Sequence, residues 1–491
     1  RLSPQLGLRG QGTLVGIIDT GVDLTSSFFR YEDGGTKIAA YWDQEDQEGK
    51  KPAGYSFGRE WDREEIDRAL EEEPRILPRD ENGHGTFLAA VAAGREDEEA
   101  GFSGAAPDSE LVVVKVKRPK QYLLDFYSIR DDVWACQEDD VMLAIRYVLD
   151  TATALQRPVS ICLGIGTNLG GHGGNGSLER YISQISLLPG ISVHIASGNE
   201  GISGHHFRGN VPQDQEFETV EFNVADGENG FIMELWGDAP VNFSVGLISP
   251  GGENVERIQL KRNEFRNIRF FPENTVLQIR SFAGETVGGE QVIRMNFRSP
   301  SAGLWRLQVY ARGTGNRTFN LWMPITNFLR EETFFVSPEA SDTLTSPGDA
   351  FYGITYVPYE VNTESLYVRA SQGYTRDGRV KPDLAAPGVN VQIPAPTAVR
   401  RPEQDGAQES GGSRREVSRS GSSVAAAFGA GIGALMQEWA IVKENDLSLN
   451  GQNMRFYLIQ GAVRSGAYEY PNREWGYGIV NLYDAFLSMR R

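Results

Sequence analysis

The stretch Ser420-Gly421-Ser422-Ser423-Val424-Ala425-Ala426-Ala427 constrains this chain more than any other. A Gly-Ser-Ser turn runs straight into Val424 to Trp439, a segment dominated by Ala, Gly, Leu and Met. Such a run can pack closely on every side, which predicts a buried central helix with tight backbone approaches at Gly429, Gly431 and Gly433. The first turn of a helix carries unpaired backbone N–H groups and the positive end of the dipole. A hydroxyl placed there can attack a carbonyl while the developing oxyanion is received beside it. Taken alone, the motif reads more simply as a Ser N-cap. Three other stretches fit the same chemistry.

At 491 residues the chain is long enough for a large core and more than one domain. Its 48 basic and 66 acidic side chains leave a net charge of −18, so no nucleic acid is expected as a partner. The two cysteines, Cys136 and Cys162, cannot build a disulfide framework. No run approaches the length of a membrane span and no signal-peptide pattern opens the chain, so no membrane span is expected. The first residue is Arg1 and not Met, from which a processed or trimmed product is expected.

Thr13 to Ile18 is a short apolar β-prone run that ends abruptly at Asp19-Thr20-Gly21. A carboxylate at the carboxyl end of a buried strand suits a site above a parallel sheet, although a turn Asp reads the same. Lys37 to Asp43 is a second expected strand, and Glu60 to Glu73 reads as a solvated helix or loop. Asn82-Gly83-His84-Gly85-Thr86 then opens an Ala-rich helix. A Gly-flanked His titrates where a general base works. Metal binding is the rival role, but no second His lies one helical turn away and no Cys is near. Further on, the expected elements are a strand Glu110 to Lys117, an irregular Arg118 to Cys136, and a helix Glu138 to Leu155. A strand Val159 to Gly164, a helix Ser177 to Leu188 and a strand Ile191 to Ala196 follow. The last closes on Ser197-Gly198-Asn199-Glu200-Gly201.

Alternating strands and helices predict an α/β layer with a parallel sheet. After about Gly209 the rhythm changes to repeated short strands with turn signals, which suggests an inserted β-sandwich or jelly roll. The expected division is residues 1–208 and 337–491 for a catalytic α/β domain and 209–336 for an inserted all-β domain. Arg400 to Arg419 reads as a mobile Gly/Ser/charge-rich loop.

Hydrolysis of an amide by a serine needs a hydroxyl, a base, a carboxylate that orients the base, and donors for the oxyanion. Ser423, His84, Asp19 and Asn199 are the candidates, in that order. The motifs Ile17-Ile18-Asp19-Thr20-Gly21, Gly83-His84-Gly85-Thr86, Ala196-Ser197-Gly198-Asn199-Glu200-Gly201 and Gly421-Ser422-Ser423-Val424-Ala425 together resemble the subtilases, the subtilisin-like serine peptidases. More narrowly, the inserted β-region resembles clostridial spore-germination subtilases that carry a jelly roll.

The resemblance implies an αβα subtilisin-like core and endopeptidase activity on proteins or peptides. It also implies that Leu163 and Gly164 bind an extended substrate beside its first specificity pocket. A pro-segment that is cut off, and an extracellular or spore-associated setting, are implied in the same way. No cofactor is required for catalysis and no metal ligand can be named, while structural calcium is left open, as in many subtilases. Two positions depart from the family pattern. Ser422 stands beside Ser423 as a second hydroxyl, and Cys162 precedes Leu163 where Ser is common; it reads as packing and not as a nucleophile. Ser341 to Asp349 is expected to rejoin the specificity pocket, with Glu339, Asp342 and Thr345 all open as its floor. The alternative reading is a catalytically silent binding or signalling protein on a subtilase body.

Overall fold

Short runs of Val, Ile and Leu without polar interruption become strands covered on both faces. Leu14–Asp19 (β1) is buried at all six positions. In the computed structural model, which describes residues 7–259, 264–283, 289–395 and 416–489, it lies inside a nine-stranded sheet. The other strands are Ile38–Asp43 (β2), Arg59–Asp62 (β3), Glu110–Lys115 (β4), Val159–Leu163 (β5), Ile191–Ala196 (β6), Ile354–Glu360 (β7), Ser365–Leu366 (β8) and Leu384–Pro387 (β9). Their order is β8-β7-β6-β5-β1-β4-β2-β3, with β9 also pairing β7. The run from β7 to β2 is parallel. β3 and β8 pair antiparallel at the two edges, so the sheet is mixed where an all-parallel one was expected.

Among the helices that cover it are His84–Ala93 (α1), Glu138–Ala154 (α2), Ser177–Ile185 (α3) and Ser422–Gln437 (α4). Alternate residues of β1 serve opposite faces. Val15 and Ile17 join the core under α1 and α4, whereas Leu14 and Ile18 join the core under α2 and α3. This is the three-layer αβα arrangement.

The expected close approaches along α4 are present. A methyl group on Gly429 would stand 2.4 Å from the Tyr356 ring, on Gly431 2.4 Å from Ala105 Cβ, and on Gly433 2.3 Å from His194 Nε2. The helix starts at Ser422, two residues earlier than the apolar run, and continues through a π-helical turn at Glu438–Val442. The combined Ser422–Val442 segment has 21 residues and its most apolar stretch has a mean hydropathy of 1.3, so one run does approach the length of a membrane span, contrary to expectation. Of its most apolar window, 83% is buried inside the protein, and this is the central core helix.

From His206 to Phe335 the strands pair antiparallel. One six-stranded sheet contains His206–Asn210, Gly230–Gly237, Phe265–Phe270, Thr275–Ala283, Gln291–Arg298 and Thr318–Trp322. A five-stranded sheet contains Phe217–Val224, Asn242–Ile248, Asn254–Ile258, Gly303–Arg312 and Phe334–Phe335. Both contribute to one apolar core that includes Phe222, Phe231, Phe297 and Trp305. Two expectations need adjustment and a third is largely untested. The Glu60 to Glu73 stretch is half buried, with Ile66, Ala69 and Leu70 under a helix started by an Asp62–Glu65 capping box. Arg118 to Cys136 includes a helix at Gln121–Tyr127. The expected mobile loop from Arg400 lies outside the described residues as far as 415.

Candidate active site

Parallel strands release their chains at one edge of the sheet, and side chains at that edge converge. Asp19 ends β1 and is 1% exposed. α1 is brought against it by close backbone contact, since a methyl on Gly85 would stand 2.1 Å from Gly21 O. Asp80 fixes the join. Its carboxylate accepts from Thr20 Oγ1 (2.8 Å), Gly83 N–H (2.9 Å), Thr86 N–H (2.8 Å) and Thr86 Oγ1 (2.7 Å). His84 therefore leaves the first turn of α1 with Nδ1 2.7 Å from Asp19 Oδ1. The carboxylate accepts Nδ1–H, so Nε2 is left as the acceptor, and it lies 2.9 Å from Ser423 Oγ.

The other side of the site is the turn into α4. Asn199, just beyond β6, accepts the Ser422 N–H through Oδ1 at 3.0 Å, which leaves its Nδ2 as a donor. A methyl on Gly421 would stand 3.4 Å from Asn199 Nδ2 and 3.8 Å from Ser423 Oγ. Glycine at this position (φ +155°) thus keeps open the space between amide and hydroxyl. The Ser423 N–H sits in the first helical turn, where no intrahelical acceptor exists. Ser422 is turned away. Its Oγ accepts the Gly198 N–H at 3.0 Å, so the two adjacent hydroxyls have separate surroundings. Asp19, His84, Asn199 and Ser423 are all brought together.

A model of the Subtilase family matches residues 10–224 and 278–478. The chain belongs to the subtilase family. Over 99% of its length it is 28% identical to the CspB protease of Clostridium perfringens, covering 95% of that chain with a TM-score of 0.84. It is also 30% identical over 122 residues to a subtilisin of Bacillus sp. (strain TA39). That match spans 25% of this chain and 25% of the relative, about a quarter of each length.

In this subtilase, burial opposes protonation of His84, but the charge and hydrogen bond of Asp19 outweigh it and hold the imidazole pKa above its usual value. Arg419 acts in the opposite sense and Asp80 in the same sense as Asp19. Cys162 is buried within β5, and burial followed by the Asp19 charge pushes its thiol well above the usual range, away from nucleophilic thiolate. Leu163 is buried at the end of β5, and Gly164 lies against the site, where a methyl would stand 3.1 Å from Ser423 Cβ. Among the described residues no group of three or more His, Cys, Asp or Glu is arranged to hold a metal ion.

Two features escape sequence reading. Asp80 acts by accepting hydrogen bonds from a helix start and a neighbouring loop; its one trace is an acidic residue one turn ahead of Gly83. Glu200 is buried beside Asn199, paired with His205 Nδ1 at 2.9 Å and accepting Thr326 N–H at 3.0 Å. It ties the Asn199 loop to the antiparallel sheets.

Proposed function

We propose that this subtilase is a serine endopeptidase acting through an acyl-enzyme on Ser423. The observation that carries the reading is the continuous chain from Asp19 through His84 to Ser423, with contacts of 2.7 and 2.9 Å. Ser423 Oγ attacks the scissile carbonyl carbon while its proton passes to His84 Nε2, and Asp19 stabilises the imidazolium. The oxygen that becomes negative is met by Asn199 Nδ2–H and the Ser423 N–H. His84 then protonates the departing amine as the C–N bond breaks. A water, deprotonated by His84, hydrolyses the ester and restores the Ser423 hydroxyl. Leu163 and Gly164 form the edge along which an extended peptide lies. These steps require no cofactor; a structural calcium, if bound, would be seen as a lowered Tm on chelation.

We further assign residues 209–336 to an inserted jelly-roll-like domain, with 1–208 and 337–491 forming the catalytic body. The shared apolar core of the two antiparallel sheets supports this, as does the interruption of the family match between residues 224 and 278. Protein or peptide substrates, and a pro-segment of its own, follow from the same reading, which the likeness to a clostridial protease supports.

Labelling with a fluorophosphonate tests the proposal. Wild type should label, Ser423→Ala should not, and Ser422→Ala should retain labelling. A wild type that stays unlabelled beside a reactive subtilisin control would favour a silent binding protein and sink the peptidase reading.

A further inference from the structure

The space between the carboxyl ends of β5 and β6 takes no part in the steps above. The two strands pair as far as Leu163 opposite Ile195. Beyond that point Gly164 to Thr167 continue on one side and Ser197 to Asn199 on the other. A carbonyl carbon within reach of Ser423 Oγ, with its oxygen facing Asn199 Nδ2, lies at the mouth of this gap. Gly164 borders Ser423 on one wall and Asn199 ends the other. The side chain of the residue that carries this carbonyl therefore has the gap in front of it.

The gap has a floor, supplied by a distant part of the chain. Thr167 and Ser346 form an antiparallel bridge, with N–H···O distances of 2.8 and 2.9 Å in the two directions. Thr345 N–H donates to Ser197 O at 3.0 Å, so this segment joins both walls. The Thr345 side chain fills the space between two glycines. A methyl on Gly166 would stand 2.4 Å from Thr345 Oγ1, and one on Gly198 would stand 2.7 Å from Thr345 Cγ2. Every residue from Ser341 to Ala350 is buried. The acidic alternatives are engaged elsewhere: Asp342 Oδ2 faces Arg208 at 3.4 Å, and the exposed Glu339 accepts the Ser341 N–H at 3.1 Å.

We propose that Thr345 is the specificity-determining residue of this subtilase and restricts the residue carrying the scissile carbonyl to small side chains, Gly, Ala or Ser. The proposal rests on the peptidase reading of Ser423. A longer side chain must displace Thr345, which is buried and sits between Gly166 and Gly198. A misfit of one methylene in such a site is worth roughly 10–200-fold in kcat/KM.

The test is a set of fluorogenic peptides that differ only at the residue preceding the cleaved bond, assayed on wild type, Thr345→Gly and Thr345→Ser. Labelling by a small dialkyl fluorophosphate and thermal unfolding are measured on the same preparations. Wild type should cleave after Ala at least about tenfold faster than after Leu, Phe or Arg. Thr345→Gly should shift the preference toward Leu and Phe, and Thr345→Ser, which keeps the hydroxyl and the fold, should shift it part of the way. Failure of wild type to label would remove the peptidase reading itself. A labelled wild type that prefers Leu, Phe, Arg or Lys, or folded variants with unchanged profiles, would overturn the role of Thr345 and leave the peptidase reading intact.

Discussion

The residue scale turns on His84, which in the proposed mechanism accepts a proton as a neutral imidazole. Its pKa lies above the ordinary 6.5 because the Asp19 charge and hydrogen bond outweigh the cost of burial. Activity is therefore present above the raised pKa and lost as pH falls through it. The acid limb of kcat/KM for a peptide should lie above pH 6.5. Asp19→Asn removes the charge of Asp19 and weakens its hydrogen bond, leaving burial opposed only by the lesser influence of Asp80, so the limb should move to lower pH. The same substitution should lower kcat on the order of 10⁴-fold, the loss known when an orienting Asp of a serine peptidase is neutralised. A limb that stays in place would show that another group controls it. Asp19, His84, Asn199 and Ser423 could be picked out in the sequence because each lies at or just beyond the end of a strand or in the first turn of a helix, inside a short motif. The choice between Ser422 and Ser423 was not fixed by the residues alone. A helix turns about 100° per residue, so only the folded approach of α1 decides which hydroxyl meets the imidazole. Asp80 was invisible for a different reason, since two of its four donors are backbone N–H groups that no side-chain pattern marks, and Thr20 is brought to it only by the fold.

At the scale of elements, α4 is defined by what its glycines touch. Gly433→Ala would place a methyl 2.3 Å from His194 Nε2 and 2.4 Å from Ser160 Oγ, both fully buried. Overpacking of this kind should destabilise the protein by about 1–3 kcal/mol. Denaturant unfolding would read this as a lower midpoint with an unchanged slope. An unaltered midpoint would mean that the helix can shift to make room. The glycines were legible because a helix so poor in side chains has few other uses. The antiparallel strands were only half legible. Strands around Phe231, Phe243 and Phe319 carry recognisable apolar runs, whereas Phe265–Phe270 is mostly exposed and carries two Arg and an Asn, and Thr275–Ala283 interrupts its apolar residues with Gln, Arg and Ser. Their assignment comes from pairing with neighbours, which no local pattern encodes.

For the whole molecule the governing feature is the join between the antiparallel sheets and the catalytic body. Trp322 is fully buried between His172 and His206, with ring centroids 4.0 and 4.8 Å apart, and its Nε1–H donates to Asp342 O at 3.2 Å. Trp322→Ala should lower stability by about 3–5 kcal/mol, seen as an early melting transition. Because the indole also holds the segment leading to Thr345, cleavage selectivity should relax in the folded fraction. A variant that melts like wild type would mean that the two parts are held by other contacts. Nothing in the sequence connects these three aromatic rings, which come from separate loops and strands. The long separation of groups has a further result for biosynthesis. The imidazole of His84 and the hydroxyl it meets are 339 positions apart. A nascent chain emerging from the ribosome thus holds Asp19, His84 and Asn199 long before it contains Ser423, the hydroxyl that His84 meets in the folded protein. On the proposed mechanism, no acyl-enzyme can form on a growing polypeptide until α4 has been made, and two further helices that join the same core, Gly451–Gln460 and Leu482–Met489, are still to come.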